Sequence, residues 1–400
     1  MKQTSQRAGT YVLQPSNYRA FVPSFLPPDP PVQIDDDLLQ LLSSADQALG
    51  RLDGSTDVLP NPDLFVTMYI RKEAVLSSQI EGTQASLAEV LELEARVLDS
   101  ERPTDAVDVV NYIHALDYGL ERLSDLPLSL RLICEIHEKL MTGTRGHEMN
   151  PGEFRRSQNW IGPKGCKLTE ARFVPPPDEM KVALGNLELF LHDESPMPLL
   201  MRVGLAHAQF ETIHPFLDGN GRVGRLLITF LLCERSALKR PLLYLSYYFK
   251  QNRSEYYELL QNVRDRGDWE RWLKFFLRGI AAVANEAATT ARRIVAMREE
   301  HRDQIIEIAG RTTPDALRLH EQLFRYPIVS ASSVQILLGN TFPAANGLLK
   351  RLESMGILRE VTGRSRRKAY LYEAYFRLFD DAEFEAENVV PAEGTITETN

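Results

Sequence analysis

Between His214 and Arg225 the chain reads HPFLDGNGRVGR, which gathers a histidine, an aspartate, three glycines and two arginines in one short stretch. An imidazole titrates near neutrality and can take a proton from an attacking hydroxyl, an effect worth roughly 10²- to 10⁴-fold in rate. Asp218 offers a hard carboxylate oxygen of the kind that holds magnesium beside substrate phosphates, with waters completing the shell. Leu199, Val203, Ala206, Phe210 and Ile213 lie at helical spacing before the string, and Val223, Leu226, Leu227, Phe230 and Leu231 lie so after it. His214 therefore ends one helix, and Gly219 to Arg222 begin the next. The unpaired amides of a helix start, with the positive end of its dipole, make an anion site that glycines let a phosphate approach closely. Arg222 and Arg225, three residues apart, add charge on the same side. The glycine spacing also fits a dinucleotide fingerprint, but a helix rather than a strand precedes it, and no lysine follows to make a Walker loop. The combination predicts transfer from a nucleotide onto an alcohol.

The same string resembles the Fic-domain motif at every fixed position: His, any, Phe, any, Asp or Glu, Gly, Asn, Gly, Arg, any, any, Arg. The resemblance spans roughly residues 60–285. It implies a nucleotidyltransferase that moves AMP from ATP, with Mg2+, onto Ser, Thr or Tyr hydroxyls of a protein substrate. In that reading His214 is the general base and Asp218 the metal ligand. Gly219, Asn220 and Gly221 form the phosphate hole, and Arg222 and Arg225 contact the β- and γ-phosphates. Phe216 becomes a core anchor, Tyr257 beside Tyr256 lies near the adenine, and a flap at Asn159, Trp160 and Ile161 docks the target by strand pairing. Upstream, Ser77 to Gly82 (SSQIEG) is similar to the family's inhibitory pattern, which implies that Glu81 pairs with Arg225 and shuts out a productive γ-phosphate. Gly221, where phosphate-transferring relatives carry lysine, favours AMP. Other transfer chemistries and AMP removal stand as alternatives, as does a DNA-binding regulator.

The elements around the string predict a mainly α protein: a Fic-like helical core with a short β-hairpin flap, plus a carboxyl-terminal winged helix-turn-helix domain. Residues 1–60 carry Pro23, Pro27, Pro28, Pro30 and Pro31, which predicts an extended arm with one short helix over Asp36 to Leu49. Residues 61–105 hold the inhibitory helix, Pro62 to Glu81, stopped by Gly82, and a second helix opened by a Ser86/Glu89 capping box. Residues 106–290 form the catalytic domain, whose Trp160/Ile161 and Phe173/Val174 pair as the flap. Residues 291–312 are a linker helix. In residues 313–379, Thr313 caps and Pro314 opens one helix, Ser330 caps a second that ends at Gly339, and Pro343 opens a third that ends at Gly356, with a hairpin over Ile357 to Val361 and Ala369 to Tyr372. Residues 380–400 form an acidic tail.

With 44% hydrophobic and 25% charged residues, the chain has an ordinary globular composition. Its longest mostly apolar run, Leu226 to Cys233, is too short for a bilayer, and MKQTSQRAG is no signal core. A cytoplasmic protein with no membrane partner is expected. Cys134, Cys166 and Cys233 lack paired spacing, so neither disulfides nor a thiolate metal site is expected. Much of the net charge of -9 belongs to the tail, where seven acids meet no base. Lys350 to Ala369 is the reverse, with seven bases against Glu353 and Glu360, and suits either DNA or protein docking. His137, His207, Trp269 and Trp272 are expected to be structural. Self-modification and a homodimer are left open.

Overall fold

The structure is a computed structural model and describes residues 6–55, 62–95, 104–143, 149–162 and 171–379. The acidic tail, Cys166 and the tip of the flap lie outside the described residues. The chain divides near Thr289 into two compact units.

The first unit opens differently from expectation. Residues Gly9–Leu13 (β1) and Arg19–Pro23 (β2) pair as an antiparallel hairpin with Thr10 opposite Val22 and Val12 opposite Ala20. Thr10, Tyr11 and Val12 of β1 and Phe21 and Val22 of β2 are β-branched or aromatic, and Asn17, at φ 61°, supplies the left-handed turn position that asparagine tolerates. The prolines sit in the turn or at and after the end of β2, where they interrupt no ladder. Helix α1, Asp36–Ser55, runs past the expected Leu49, with Leu38, Leu42, Ala45, Leu49 and Leu52 buried at helical spacing.

Helices α2 (Pro62–Ile80), α3 (Leu87–Glu94), α4 (Thr104–Arg122) and α5 (Leu130–Met141) follow. The capping box of α3 is present: Ser86 N donates to Glu89 Oε2 at 2.7 Å, and Glu89 N to Ser86 Oγ at 3.2 Å. Strands β3 (Trp160–Ile161) and β4 (Arg172–Phe173) form the flap, with Trp160 opposite Phe173. Then come α6 (Pro177–His192), α7 (Leu199–Ile213), α8 (Asn220–Glu234), α9 (Ser246–Gln251), α10 (Arg253–Arg266) and α11 (Trp269–Ile308).

Helices α7 and α8 form the centre. Both are buried on nearly every side, as their mostly apolar sequences require. Helices α6 and α10 pack on α7, while α2, α4 and α5 pack on α8. The buried Trp272 donates its indole N–H to the Gly204 carbonyl at 2.8 Å, fixing the start of α11 to α7.

In the second unit α12 (Thr313–Leu323) is preceded by a short 3₁₀ turn, and Thr312 rather than Thr313 stands at its N-cap. Strand β5 (Ile328–Ser330), α13 (Ala331–Leu338), α14 (Phe342–Ser354), β6 (Arg359–Glu360), β7 (Ala369–Leu371) and α15 (Glu373–Arg377) complete it. From the sequence a two-stranded hairpin is expected here. Strand β5 joins it, giving a three-stranded antiparallel sheet in the order β5-β7-β6. No described helix is long and apolar enough to cross a membrane.

Candidate active site

The loop between α7 and α8 takes an unusual backbone path and is held on all sides. His214 ends α7 in the left-handed conformation (φ 52°, ψ 62°), which costs a non-glycine residue on the order of 1–3 kcal/mol and persists only where neighbours impose it. Arg155 is the main constraint. It is 1% exposed, and its guanidinium donates from Nε to the His214 carbonyl at 2.9 Å, from Nη1 to Ser157 O at 3.0 Å and from Nη2 to Pro175 O at 2.6 Å. Arg155 N also donates to the Pro215 carbonyl at 2.9 Å. One side chain thus ties the loop to both strands' roots of the flap.

Asn220 closes the loop from the other end. Its Oδ1 accepts from Phe216 N at 2.8 Å and its Nδ2 donates to Phe216 O at 2.9 Å. The Asn220 side chain is thereby spent on shaping the loop. Phe216 is fully buried and stacks on His137, with ring centroids 3.7 Å apart. His137 Nε2 meets the Asp218 carbonyl at 3.1 Å while its Nδ1 accepts from Gly152 N at 2.9 Å, so this histidine is a loop support. Gly219, at φ 77°, is confined by Met141 and His137 where a Cβ would stand, so glycine alone suits the turn into α8.

The first turn of α8 presents its amides beside two buried arginines. Arg225 is 2% exposed. Its Nη2 donates to Glu81 Oε1 at 2.7 Å and to the Ser77 carbonyl at 3.0 Å, and its Nε donates to Ser77 Oγ at 2.8 Å. The Glu81 carboxylate also lies where a methyl group on Gly221 would stand, directly over the amide cradle. Burial by itself raises the Glu81 carboxyl, but the charge and hydrogen bond of Arg225, with Arg222, outweigh it and bring the group below its ordinary value. Arg222 is nearly as buried and weakly held, with Nη2 3.9 Å from Asp218 Oδ2 and 3.6 Å from Met141 Sδ.

His214 carries a lone-pair nitrogen at neutral pH. Burial and the charge of Arg155 push its pKa down to about 4, against the pull of Glu81. Asp218 has a side chain 55% exposed; its Oδ1 accepts from Gly219 N at 2.7 Å. Among the described residues no group of three or more His, Cys, Asp or Glu could hold a metal by itself. A single carboxylate still fits magnesium, which takes one or two protein ligands and the rest from phosphates and water.

The flap residues divide. Asn159 donates from Nδ2 to the Phe216 and Leu217 carbonyls at 3.1 and 3.3 Å, which anchors the flap to the loop. Trp160 is 45% exposed, Ile161 is partly so, and no described strand pairs with the outer edge of β3. The two tyrosines divide likewise. Tyr256 is buried, with its hydroxyl 2.9 Å from His207 Nε2, while His207 Nδ1 meets the Gly224 carbonyl at 2.8 Å. Tyr257 is 40% exposed, and its phenol pKa is raised by burial and by the charge of Glu81, which places it at the rim.

Three residues that sequence reasoning missed complete the site. Arg155 is one. Glu73 accepts from Ser246 N at 3.1 Å, Ser246 Oγ at 2.6 Å and Tyr112 Oη at 3.1 Å, and so fastens α2 one turn before Ser77. Glu211 lies one turn before His214 on α7, packed over Gly224 close to Arg225. Burial raises both carboxyls to about 7. The spacing Glu73, Ser77, Glu81 was a visible signal, since residues four apart share a helix face; Arg155 carried none.

Residues 39–121 match the Fic/DOC family N-terminal region, and residues 127–232 match the Fic/DOC family. The protein adenylyltransferase Fic of Drosophila erecta is 27% identical over 279 residues, covering 66% of this chain and 50% of that protein. That of Drosophila grimshawi is 30% identical over 208 residues, covering 49% and 38%. The chain thus spans about half the length of the first of these relatives. In fold it is similar to a Fic family protein from Desulfovibrio desulfuricans G20, with a TM-score of 0.57 at 20% identity over 86% of this chain and 97% of that one. The chain therefore carries a Fic/DOC family N-terminal region and, adjoining it, a Fic/DOC domain whose motif is folded into one loop and helix start.

Proposed function

We propose that the chain is a self-inhibited protein adenylyltransferase that moves AMP from ATP to a hydroxyl of a protein. The observation that carries this reading is the position of Glu81, an internal anion seated on Arg225 and over Gly221 where the amides of α8 converge. A site that accepts a carboxylate so closely has the charge and donors for a phosphate.

In this reading the amides of Asn220, Gly221 and Arg222 receive phosphate oxygens, and Arg222 and Arg225 hold the β- and γ-phosphates. Neutral His214 takes the proton of the attacking hydroxyl as its oxygen bonds to the α-phosphorus, and pyrophosphate leaves. Asp218 would hold Mg2+, which neutralises charge on the phosphates when bound. Tyr257 flanks the base, and the outer edge of β3, with Trp160 and Ile161, aligns the target. Glu81 competes for Arg225 and repels the γ-phosphate, so transfer waits for its removal.

Incubation with α-labelled and γ-labelled ATP tests the reading. Glu81→Gly should raise protein labelling from the α position, on itself or on added protein, and His214→Ala in that background should abolish it. Label kept by the double variant would remove His214 as the base. Label arriving only from the γ position would replace AMP transfer by phosphate transfer.

A further inference from the structure

The amino-terminal hairpin has no part in the transfer reading, yet it is packed against the flap. Its strand β2 is buried at Ala20 and Phe21 and lies on α6, α7 and the flap strand β4. Two side-chain amides fix the segment after it to the helices. Gln209 of α7 donates from Nε2 to the Ser24 carbonyl at 2.8 Å, and Asn186 Oδ1 of α6 accepts from Leu26 N at 2.8 Å. Gln209 lies on the same helix that ends at His214, so the hairpin and the imidazole take their positions from one element.

The flap needs such a support. Among the described residues β3 and β4 pair through two residues each, Trp160 with Phe173 and Ile161 with Arg172. A two-stranded ladder is marginal on its own, and a slip of one residue would turn its side chains to the opposite face. The hairpin meets the flap at two places. At the first, the Tyr18 ring lies 4.3 Å from the Phe173 ring, and its hydroxyl donates to Gln158 Oε1 at 3.3 Å. Gln158 in turn donates from Nε2 to the Asn159 and Val174 carbonyls at 2.9 and 2.6 Å, one on each arm of the flap. At the second, Arg264 of α10 is 3% exposed and donates from Nη2 to the Phe173 carbonyl at 2.5 Å, while its guanidinium stands over the Phe21 ring, 4.9 Å from the centroid. Phe173 belongs to β4, so the outer edge of β3 stays open.

We propose that Tyr18 and Arg264 are positioning residues for the protein acceptor: they seat the hairpin against β4 and so set where β3 presents its open edge relative to His214. The inference rests on the transfer reading, in which that edge aligns the target. Both residues act on the flap rather than on the loop from His214 to Arg225. Loosening them therefore misplaces the acceptor and leaves the nucleotide where it was. Water needs no alignment by the flap. Transfer to water, in which its oxygen bonds to the α-phosphorus, its proton passes to His214 and pyrophosphate leaves, is then the internal control.

The full Glu81→Gly chain, incubated with α-labelled ATP, should yield label in two forms, bound to protein and as free AMP. Tyr18→Ala and Arg264→Met in that background should each lower the ratio of bound to free label about tenfold or more, since small misplacements of a reacting group cost that much. ATP affinity, read by titration calorimetry, should not change. Amide hydrogen exchange in residues 158–162 and 171–174 should quicken about tenfold while that of α8 holds. Tyr18→Phe keeps the ring on Phe173 and loses only the hydroxyl, so it should fall between the parent and Tyr18→Ala, which guards against a variant that merely misfolds. An unchanged ratio would overturn the proposal. So would an equal loss of both products together with ATP affinity, which would make the two residues supports of the whole fold. Absence of both products from the Glu81→Gly chain itself would defeat the transfer reading and this inference with it, so the two failures are distinct.

Discussion

Glu81 Oε1 lies 2.7 Å from Arg225 Nη2, joining residues 144 apart in the chain. The contact has an asymmetry: Arg225 is almost fully enclosed, whereas the Glu81 side chain keeps 38% of its exposure. The acid end can therefore be withdrawn toward solvent while the arginine stays fixed by Ser77. Glu81→Gln should raise ATP affinity about tenfold or more, equivalent to about 1.4 kcal/mol, because it removes a competing charge and keeps the side-chain volume. Isothermal titration with ATP measures this, and unchanged affinity would show that Glu81 does not compete for the site.

Arg155 is a positioning residue, acting through the backbone of His214. Arg155→Met should reduce AMP transfer in the Glu81→Gly background by about 10²-fold, since small misplacements of a reacting group cost that much. ATP affinity should change little. Arg155→Lys should rescue poorly, because a single ammonium cannot reproduce the planar fork that meets four carbonyls. A full rescue by lysine would mean that charge alone, not geometry, is needed.

The neighbouring tyrosines should separate by readout. Tyr257→Ala should weaken ATP binding several-fold, in line with one lost ring contact of about 1 kcal/mol, and leave the melting temperature unchanged. Tyr256→Phe should leave ATP binding alone and lower the melting temperature by a few degrees, as the buried His207 nitrogen loses its partner at about 1 kcal/mol or more. The reverse pattern would exchange the two roles.

Stability should decline on both sides of a mildly acidic optimum. Burial holds His137 and His214 at about 4 and His207 at about 3. The folded chain then binds fewer protons than the unfolded one, so stability falls as pH drops from about 6.5 toward 4. Glu73 and Glu211 have the opposite sign. Raised to about 7, they keep protons that unfolded carboxyls release, so stability is lost as pH rises from about 4.5 to 7. Relative to the wild type, Glu73→Gln should gain stability on going from about pH 5.5 to pH 8, by on the order of 2 kcal/mol for one such fully buried group. Thermal unfolding at several pH values checks this. A difference between the two chains that does not vary with pH would mean that Glu73 is ionised throughout.

Local spacing carried the loop of the candidate site. His214, Gly219 and Arg225 stand within one short segment, and apolar periodicity on either side defined the two helices that hold them, so both the loop and the helix start that follows it could be read from the chain. The Ser86/Glu89 and Ser330 caps were legible for the same reason, since each bond spans three residues. The amino-terminal hairpin was not, because its prolines pointed to an open arm and the pairing of β1 with β2 depends on Asn17 turning the chain.

What the sequence by itself determined was the order of most of the helices and the identity of the His214 to Arg225 string, which depend on interactions a few residues apart. Only the tertiary structure decided that Arg155 grips the loop, that Asn220 spends its side chain on Phe216, and that Tyr256 faces inward and Tyr257 outward. It also decided that Glu73, Glu81 and Glu211 converge on Arg225. Those outcomes depend on which groups are enclosed together, and in a low-dielectric interior burial sets the charge state and partner of each polar group. No spacing along the chain encodes which partner that will be.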